Sequence, residues 1–202
     1  MEQRGRRCDT IQAGLSKSEC VPQIVDAPLV AFGDSNILFN NAGIIRRAPL
    51  TEFSEKDWDD VININLRTLF FLSQAVATVM IKQGKGGKII NTASMLSFQG
   101  GTRVPSCTAP KSAVRGLTCL MGNELAPYGI NVNAIAPGYM ATDNTKALRV
   151  DDKRTAEILA RIPAARWGLP TDLQGAAVFL ASAASDYVQA YTIAVDGGWP
   201  AR

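Results

Sequence analysis

A doubly wound α/β fold, a parallel sheet with helices on both faces, is the architecture this sequence predicts, and three observations point to it. From about residue 36 onward, strand-like and helix-like segments alternate. The strand-like segments are apolar on both faces, the pattern of strands covered on each side rather than of a sheet with one wet face. Their carboxyl ends gather small and amide residues: Asn40-Asn41-Ala42-Gly43 after the first, Ser94 after the second, Pro137-Gly138 after the third. Sheets of this kind bind ligands at that end of their strands, so these residues form a shelf on which a flat ligand can lie close to the backbone.

Taken in order, residues 36–40 (NILFN) are a short apolar run closed by Asn-Ala-Gly. Residues 54–80 follow as a long helix, with Ser54 and Asp57 spaced to cap its first turn. Residues 85–94 (KGGKIINTAS) form the next strand, entered through glycines, and 106–129 the next helix. NVNAIAPG at 131–138 is a strand running into a turn, 171–182 a helix, and TIAVDGG at 192–198 the closing strand.

The chain has 202 residues with 47% hydrophobic content, enough for one sizeable core. Its net charge is +3 and its basic residues are scattered, apart from RGRR at 4–7, so no nucleic-acid partner is expected. That basic tail is expected to be solvated and disordered. No apolar run is expected to reach membrane-spanning length and no secretory signal opens the sequence, which predicts a cytoplasmic protein without a membrane partner. Cys8, Cys20, Cys107 and Cys119 have neither CxxC nor zinc-type spacing, so neither a metal nor a disulfide framework is expected. Histidine is absent, which excludes Ser-His-Asp and Cys-His machinery within these residues and leaves proton chemistry to Lys, Tyr, Cys, Ser or carboxylates.

Cys107 and Lys111 lie four residues apart on a predicted helix, so their side chains face the same way. The ammonium is expected to favour the thiolate and lower the thiol pKa, one route to a reactive cysteine. The plainer alternative is a small buried cysteine. Pro110 removes a backbone donor and would kink this helix if it lies beyond the first turn. Arg46 and Arg47 follow the shelf and Arg103 precedes Cys107 by one turn, positions from which guanidiniums can meet a substrate carboxylate; the alternative is solvated surface arginine.

NNAG at 40–43, Asn65, Ser94, Lys111, PGYMAT at 137–142 and VDGG at 195–198 resemble, in order and spacing, the motifs of the short-chain dehydrogenase/reductase family. EFSEKDWDDV, NVNAIAPGYMAT and RIPAARWGLP are similar to its branch acting on sugar acids of the 2-deoxy-D-gluconate and 2-dehydro-3-deoxy-D-gluconate type. The resemblance implies a Rossmann-like fold, a homo-oligomer, and an oxidoreductase moving hydride between NAD or NADP and a secondary alcohol or ketone of a small sugar acid. It implies cofactor contacts from Asn40, Ala42, Gly43, Lys111, Pro137, Gly138 and Thr142. Catalytic roles fall to Asn65, which holds a helix kink and a water, to Ser94, which polarises the carbonyl, and to Lys111. In the family a tyrosine four residues before the lysine is the general acid/base. Here that position is Cys107, whose thiol ends too close to the backbone to reach a substrate placed by Ser94.

The family also opens with a strand and a glycine-rich turn whose amides receive the cofactor pyrophosphate. No such fingerprint precedes Asn40. The expectation is therefore a tail over 1–13 and an incomplete domain over 14–202 that lacks the first two strands, with Gly14–Asn36 as the end of the third strand and its following helix. NILFN would then form an exposed edge, cofactor binding would be weak and activity impaired. The alternative is a non-catalytic truncated family member or an interaction subunit.

Overall fold

In a computed structural model that describes residues 5–201, helix α1 (Val21–Phe32) leads into strand β1 (Ile37–Asn40). Met1–Arg4 of the expected tail lie outside the described residues. The described part of that tail runs along α1, with the Arg7 guanidinium 4.8 Å from the centre of the Phe32 ring. Parallel neighbours in a sheet require a crossover, and helices supply each one. From β1 the chain passes through α2 (Glu55–Ile62), a π-helical stretch at Asn63–Thr68 and α3 (Leu69–Gln83) to β2 (Gly87–Thr92). Helix α4 (Pro105–Leu125) connects β2 to β3 (Ile130–Pro137). The longer passage to β4 (Thr192–Val195) carries α5 (Lys146–Arg149), α6 (Asp152–Arg161) and α7 (Gln174–Ala181). All pairings are parallel, in the order β1-β2-β3-β4.

Alternation along the strands divides the core in two. Ile89 and Val132 face α1, α3 and α4, where they meet Val25, Val76, Met80 and Met121. Ile90 and Ile135 point to the other face, against Leu180 of α7. Both faces are apolar, as the doubly wound reading requires. Coverage stops short at β1, which pairs only with β2 among the described residues and leaves Ile37 and Phe39 50% and 40% exposed. An open apolar edge of this kind is a site for unwanted pairing.

Several expectations change. Residues 21–32 are helical, but the expected strand end near Gly14 is absent among the described residues. Ile11, Ala13 and Leu15 instead pass beside β1 and wall an apolar cavity of about 310 Å³ against Leu38 and Phe39. The helical run Glu55–Gln83 is long and apolar enough by length and composition to cross a membrane, contrary to the expectation that none would be. Its Leu69, Leu72, Val76, Ala77 and Met80 are buried in the core, so the folded domain already uses that apolar surface. Pro110 lies beyond the first turn of α4, and the helix continues through it.

Candidate active site

The Asn40 side chain turns inward. Its Nδ2 donates to Ser73 Oγ (2.8 Å) and to Asn91 Oδ1 (2.9 Å), while Asn91 Nδ2 donates to Thr118 Oγ1 (3.0 Å). This buried chain of polar groups ties α3, β1, β2 and α4 together, and low dielectric strengthens each bond so long as none is missing. Ala42 and Gly43 remain exposed as the shelf itself. The π-helical widening presents Asn65, 1% exposed, to the loop that follows. Asn65 Oδ1 accepts the Ile44 N–H and its Nδ2 donates to the Ile44 carbonyl, both at 2.9 Å. A Cβ on Gly43 would stand 3.2 Å from Asn65 Oδ1, so a side chain there would crowd the clamp.

At the end of β2, Ser94 Oγ accepts the Leu96 N–H (3.2 Å), and the serine hydrogen remains available to donate elsewhere. Ser97 Oγ donates to the Lys111 carbonyl (2.6 Å) and so fastens this turn to α4. The Lys111 ammonium donates to the Thr92 carbonyl. Burial draws the Lys111 pKa down from its ordinary value to about 8, against the opposing pull of Cys107. Cys107 is only 6% exposed, with Sγ 3.9 Å from the Ile44 carbonyl. Burial pushes its thiol pKa up, and Lys111, the Arg46 backbone N–H and Arg47 offset this only in part. The expectation of an activated thiolate is thereby corrected: desolvation outweighs the neighbouring ammonium.

At the end of β3, the Gly138 N–H donates to the Val195 carbonyl (3.0 Å), and a Cβ there would come within 2.6 Å of Asp196 Cα. Only glycine lets β3 and the chain after β4 approach so closely. Pro137 closes β3, and Thr142 opens the turn at 143–145. Arg46 is ion-paired with Asp57 at 3.3 Å. Arg47 donates to the Asn144 carbonyl (2.9 Å) and bridges the shelf loop to the segment after β3. Arg103 is exposed on left-handed backbone (φ 63°), and its carbonyl accepts the Ala48 N–H (3.2 Å). Cys107 and Asn65 thus converge on Ile44, with Lys111 and Ser94 at the adjoining strand end, while Arg103 and Arg46 stay at the rim.

Sequence reasoning missed Ile44, the Thr92 carbonyl, Ser97 and the Asn91–Thr118 bond. A signal existed for Asn91, an amide that directly follows the apolar pair Ile89-Ile90 in β2. Thr92 and Ile44 act through their backbone, which leaves no trace in residue type. A larger cavity, about 790 Å³, lies at the amino ends of β1, β2 and β3 beside Lys88, Asn131 and Tyr187, at the opposite end of the sheet from these groups.

The enoyl-(acyl carrier protein) reductase family profile matches residues 1–200. The chain is 64% identical over 198 residues to 2-dehydro-3-deoxy-D-gluconate 5-dehydrogenase of Escherichia coli K12, covering 98% of this chain and 78% of that one. Against the Bacillus subtilis 168 protein of the same description, identity is 52% over 202 residues, covering 100% and 79%. A gluconate 5-dehydrogenase from Burkholderia cenocepacia J2315, solved in complex with NADP and tartrate, superposes with a TM-score of 0.95 at 41% identity, covering 100% of this chain and 78% of that one. A short-chain type dehydrogenase/reductase from Mycobacterium marinum gives 0.89 at 32% identity, covering 95% and 75%. With the parallel sheet, the strand-end shelf and these relatives together, the chain belongs to the short-chain dehydrogenase/reductase family.

Proposed function

We propose that this chain moves hydride between NAD(P) and the secondary alcohol or ketone of a small sugar acid of the 2-dehydro-3-deoxy-D-gluconate type, and that it does so slowly because Cys107 occupies the acid/base position. The observation that carries this reading is the 64% identity to the Escherichia coli 2-dehydro-3-deoxy-D-gluconate 5-dehydrogenase. The placement of Ser94 and Lys111 at the carboxyl end of β2 supports it.

The residues present suit a nicotinamide dinucleotide in part. Asn41 and Ala42 border the apolar cavity of about 310 Å³, whose walls suit a flat heteroaromatic ring. Gly43, Pro137, Gly138, Thr142 and Lys111 extend the shelf toward the reacting end. Among the described residues no glycine-rich turn opens a helix beside β1, so a pyrophosphate lacks its usual amide partners and binding is expected near the millimolar range, on the order of −4 kcal/mol. Held there, a nicotinamide cofactor would supply the hydride-transfer chemistry.

The proton is the difficulty. Ser94 can direct its free hydroxyl hydrogen at the substrate oxygen. Oxidation of an alcohol also needs a base, and a thiol kept neutral by burial is a poor one. The free-amine form of Lys111, one turn along α4 from that position, can serve as the base.

The test is dehydrogenation of 2-dehydro-3-deoxy-D-gluconate with NAD⁺ and NADP⁺ at several millimolar, followed at the nicotinamide absorbance. Slow turnover that rises strongly in Cys107→Tyr is the expected result. No turnover from either folded protein would remove the oxidoreductase reading and favour a non-catalytic family member, the alternative that the closed environment of Cys107 supports.

A further inference from the structure

We propose that the Lys111 amine is a nucleophile toward 2-oxo acids and forms an imine with the ketone beside the carboxylate, with no nicotinamide taking part. The proposal rests on the sugar-acid reading for its substrate class, since a 2-dehydro sugar acid carries that ketone.

The geometry around the amine supports it. Lys111 lies on α4 at the carboxyl end of β2, and among the described residues its side chain makes one hydrogen bond, donated to the Thr92 carbonyl, which leaves the nitrogen lone pair of the free base uncommitted. Cys107 sits one turn away on the same helix, and Ser94, with its hydrogen free, follows Thr92 by two residues. Both are neutral proton carriers. With cysteine at 107, no phenol stands between the amine and an incoming carbonyl. Arg47, three residues beyond the Ile44 that Asn65 clamps, supplies positive charge toward the same thiol and is placed to attract a carboxylate.

Three other lysines are ion-paired. Lys56 is paired with Asp60 at 2.5 Å, Lys85 with Asp34 at 3.4 Å and Lys88 with Asp186 at 2.6 Å. Lys111 has no carboxylate partner among the described residues, and burial lowers its pKa to about 8. Near that pH its free-amine share exceeds that of an ordinary lysine by about a hundredfold. A desolvated lysine of this sort is a known way to build an amine nucleophile.

The step balances without an oxidant. The amine lone pair forms the C–N bond while the carbonyl π pair moves to oxygen, and the proton lost by nitrogen neutralises that oxygen as a carbinolamine. The nitrogen lone pair then expels the hydroxyl, which leaves as water after taking a proton from the thiol or solvent, and the thiol is reprotonated from solvent. The product is a protonated imine, and one water is released.

The test uses the full chain, pyruvate as the smallest 2-oxo acid, and sodium cyanoborohydride, whose hydride fixes the imine as a secondary amine. Intact mass should rise by one pyruvic acid less one oxygen atom, and peptide mapping should place the adduct on Lys111 at least about tenfold above any other lysine. Lys111→Arg, checked for native fluorescence, should lose it. Absence of an adduct, an even spread over surface lysines, or labelling unchanged in Lys111→Arg would each overturn the proposal. An adduct without nicotinamide-linked turnover supports the imine and sinks the hydride reading; turnover without an adduct does the reverse.

Discussion

The shelf at Asn40–Gly43 and the Cys107–Lys111 pair lie on either side of Ile44 and are built to different standards. On the shelf side, the buried amides of Asn40, Asn91 and Asn65 are engaged by named partners at 2.8 to 3.0 Å. Around Cys107 the packing is closed but the polar partners are few. The thiol's contact with the Ile44 carbonyl is 3.9 Å long, Lys111 reaches a backbone carbonyl rather than a counter-ion, and the neighbouring Ser106 hydroxyl is buried without a partner among the described residues. A side chain held by one long sulfur contact can change identity while the frame stands, and position 107 is such a place. Asn91 is not, because four elements are joined through it.

The largest effect should come from the Cys107 side. At saturating NADP⁺, Cys107→Tyr is expected to raise dehydrogenation of 2-dehydro-3-deoxy-D-gluconate about 10²–10⁴-fold, the usual worth of a positioned general acid/base. An unchanged rate in a folded variant would show that the two sides differ in polar bonding only and that proton transfer does not limit turnover. The tight side should instead respond in stability. Asn91→Leu strips one partner each from Asn40 Nδ2 and Thr118 Oγ1 in the core, for a loss of about 3 kcal/mol in denaturant unfolding. Asn65→Ala abandons both backbone groups of Ile44, which are partly exposed and can turn to water, so about 2 kcal/mol is expected, together with weaker NADP⁺ binding as the shelf loosens. If Asn65→Ala left both quantities unchanged, the clamp would be decorative and the contrast between the two sides would fail.

The same contrast explains what was legible in the sequence. Strand and helix order, the strand-end shelf, the capping of α2 by Ser54 and the pairing of Cys107 with Lys111 on one helix face follow from periodicity and residue type, and the structure has them. The segment before α1 was misjudged because strand formation needs a neighbour at ladder distance, and Ile11–Leu15 stand off from β1 across a cavity. The sign of the Cys107 shift was misjudged because helical spacing reveals a nearby charge but not the depth of burial, and here burial is the larger cause. Residue type is silent on the bond from Lys111 to the Thr92 carbonyl, since every residue offers that same acceptor.

The smallest expected effect tests whether Lys111 is as poorly accommodated as the few polar partners on the Cys107 side imply. Its pKa is lowered from 10.5 to about 8 in the folded chain, so between those values the unfolded chain holds a proton that the folded chain has released. Stability therefore rises with pH across that interval: the contribution is fully present above 10.5 and lost as pH falls through about 8. Lys111→Met removes this titration. It also forfeits the bond to the Thr92 carbonyl, a cost that enters as an offset largely independent of pH. Relative to the native chain, the variant should accordingly be most favourable near neutral pH and lose ground by on the order of 1 kcal/mol as the pH approaches 10. Urea unfolding of both proteins at matched pH values measures the difference. A gap that stays constant from pH 7 to pH 10 would mean that Lys111 keeps an ordinary pKa, and the strained end of the site would then be confined to Cys107.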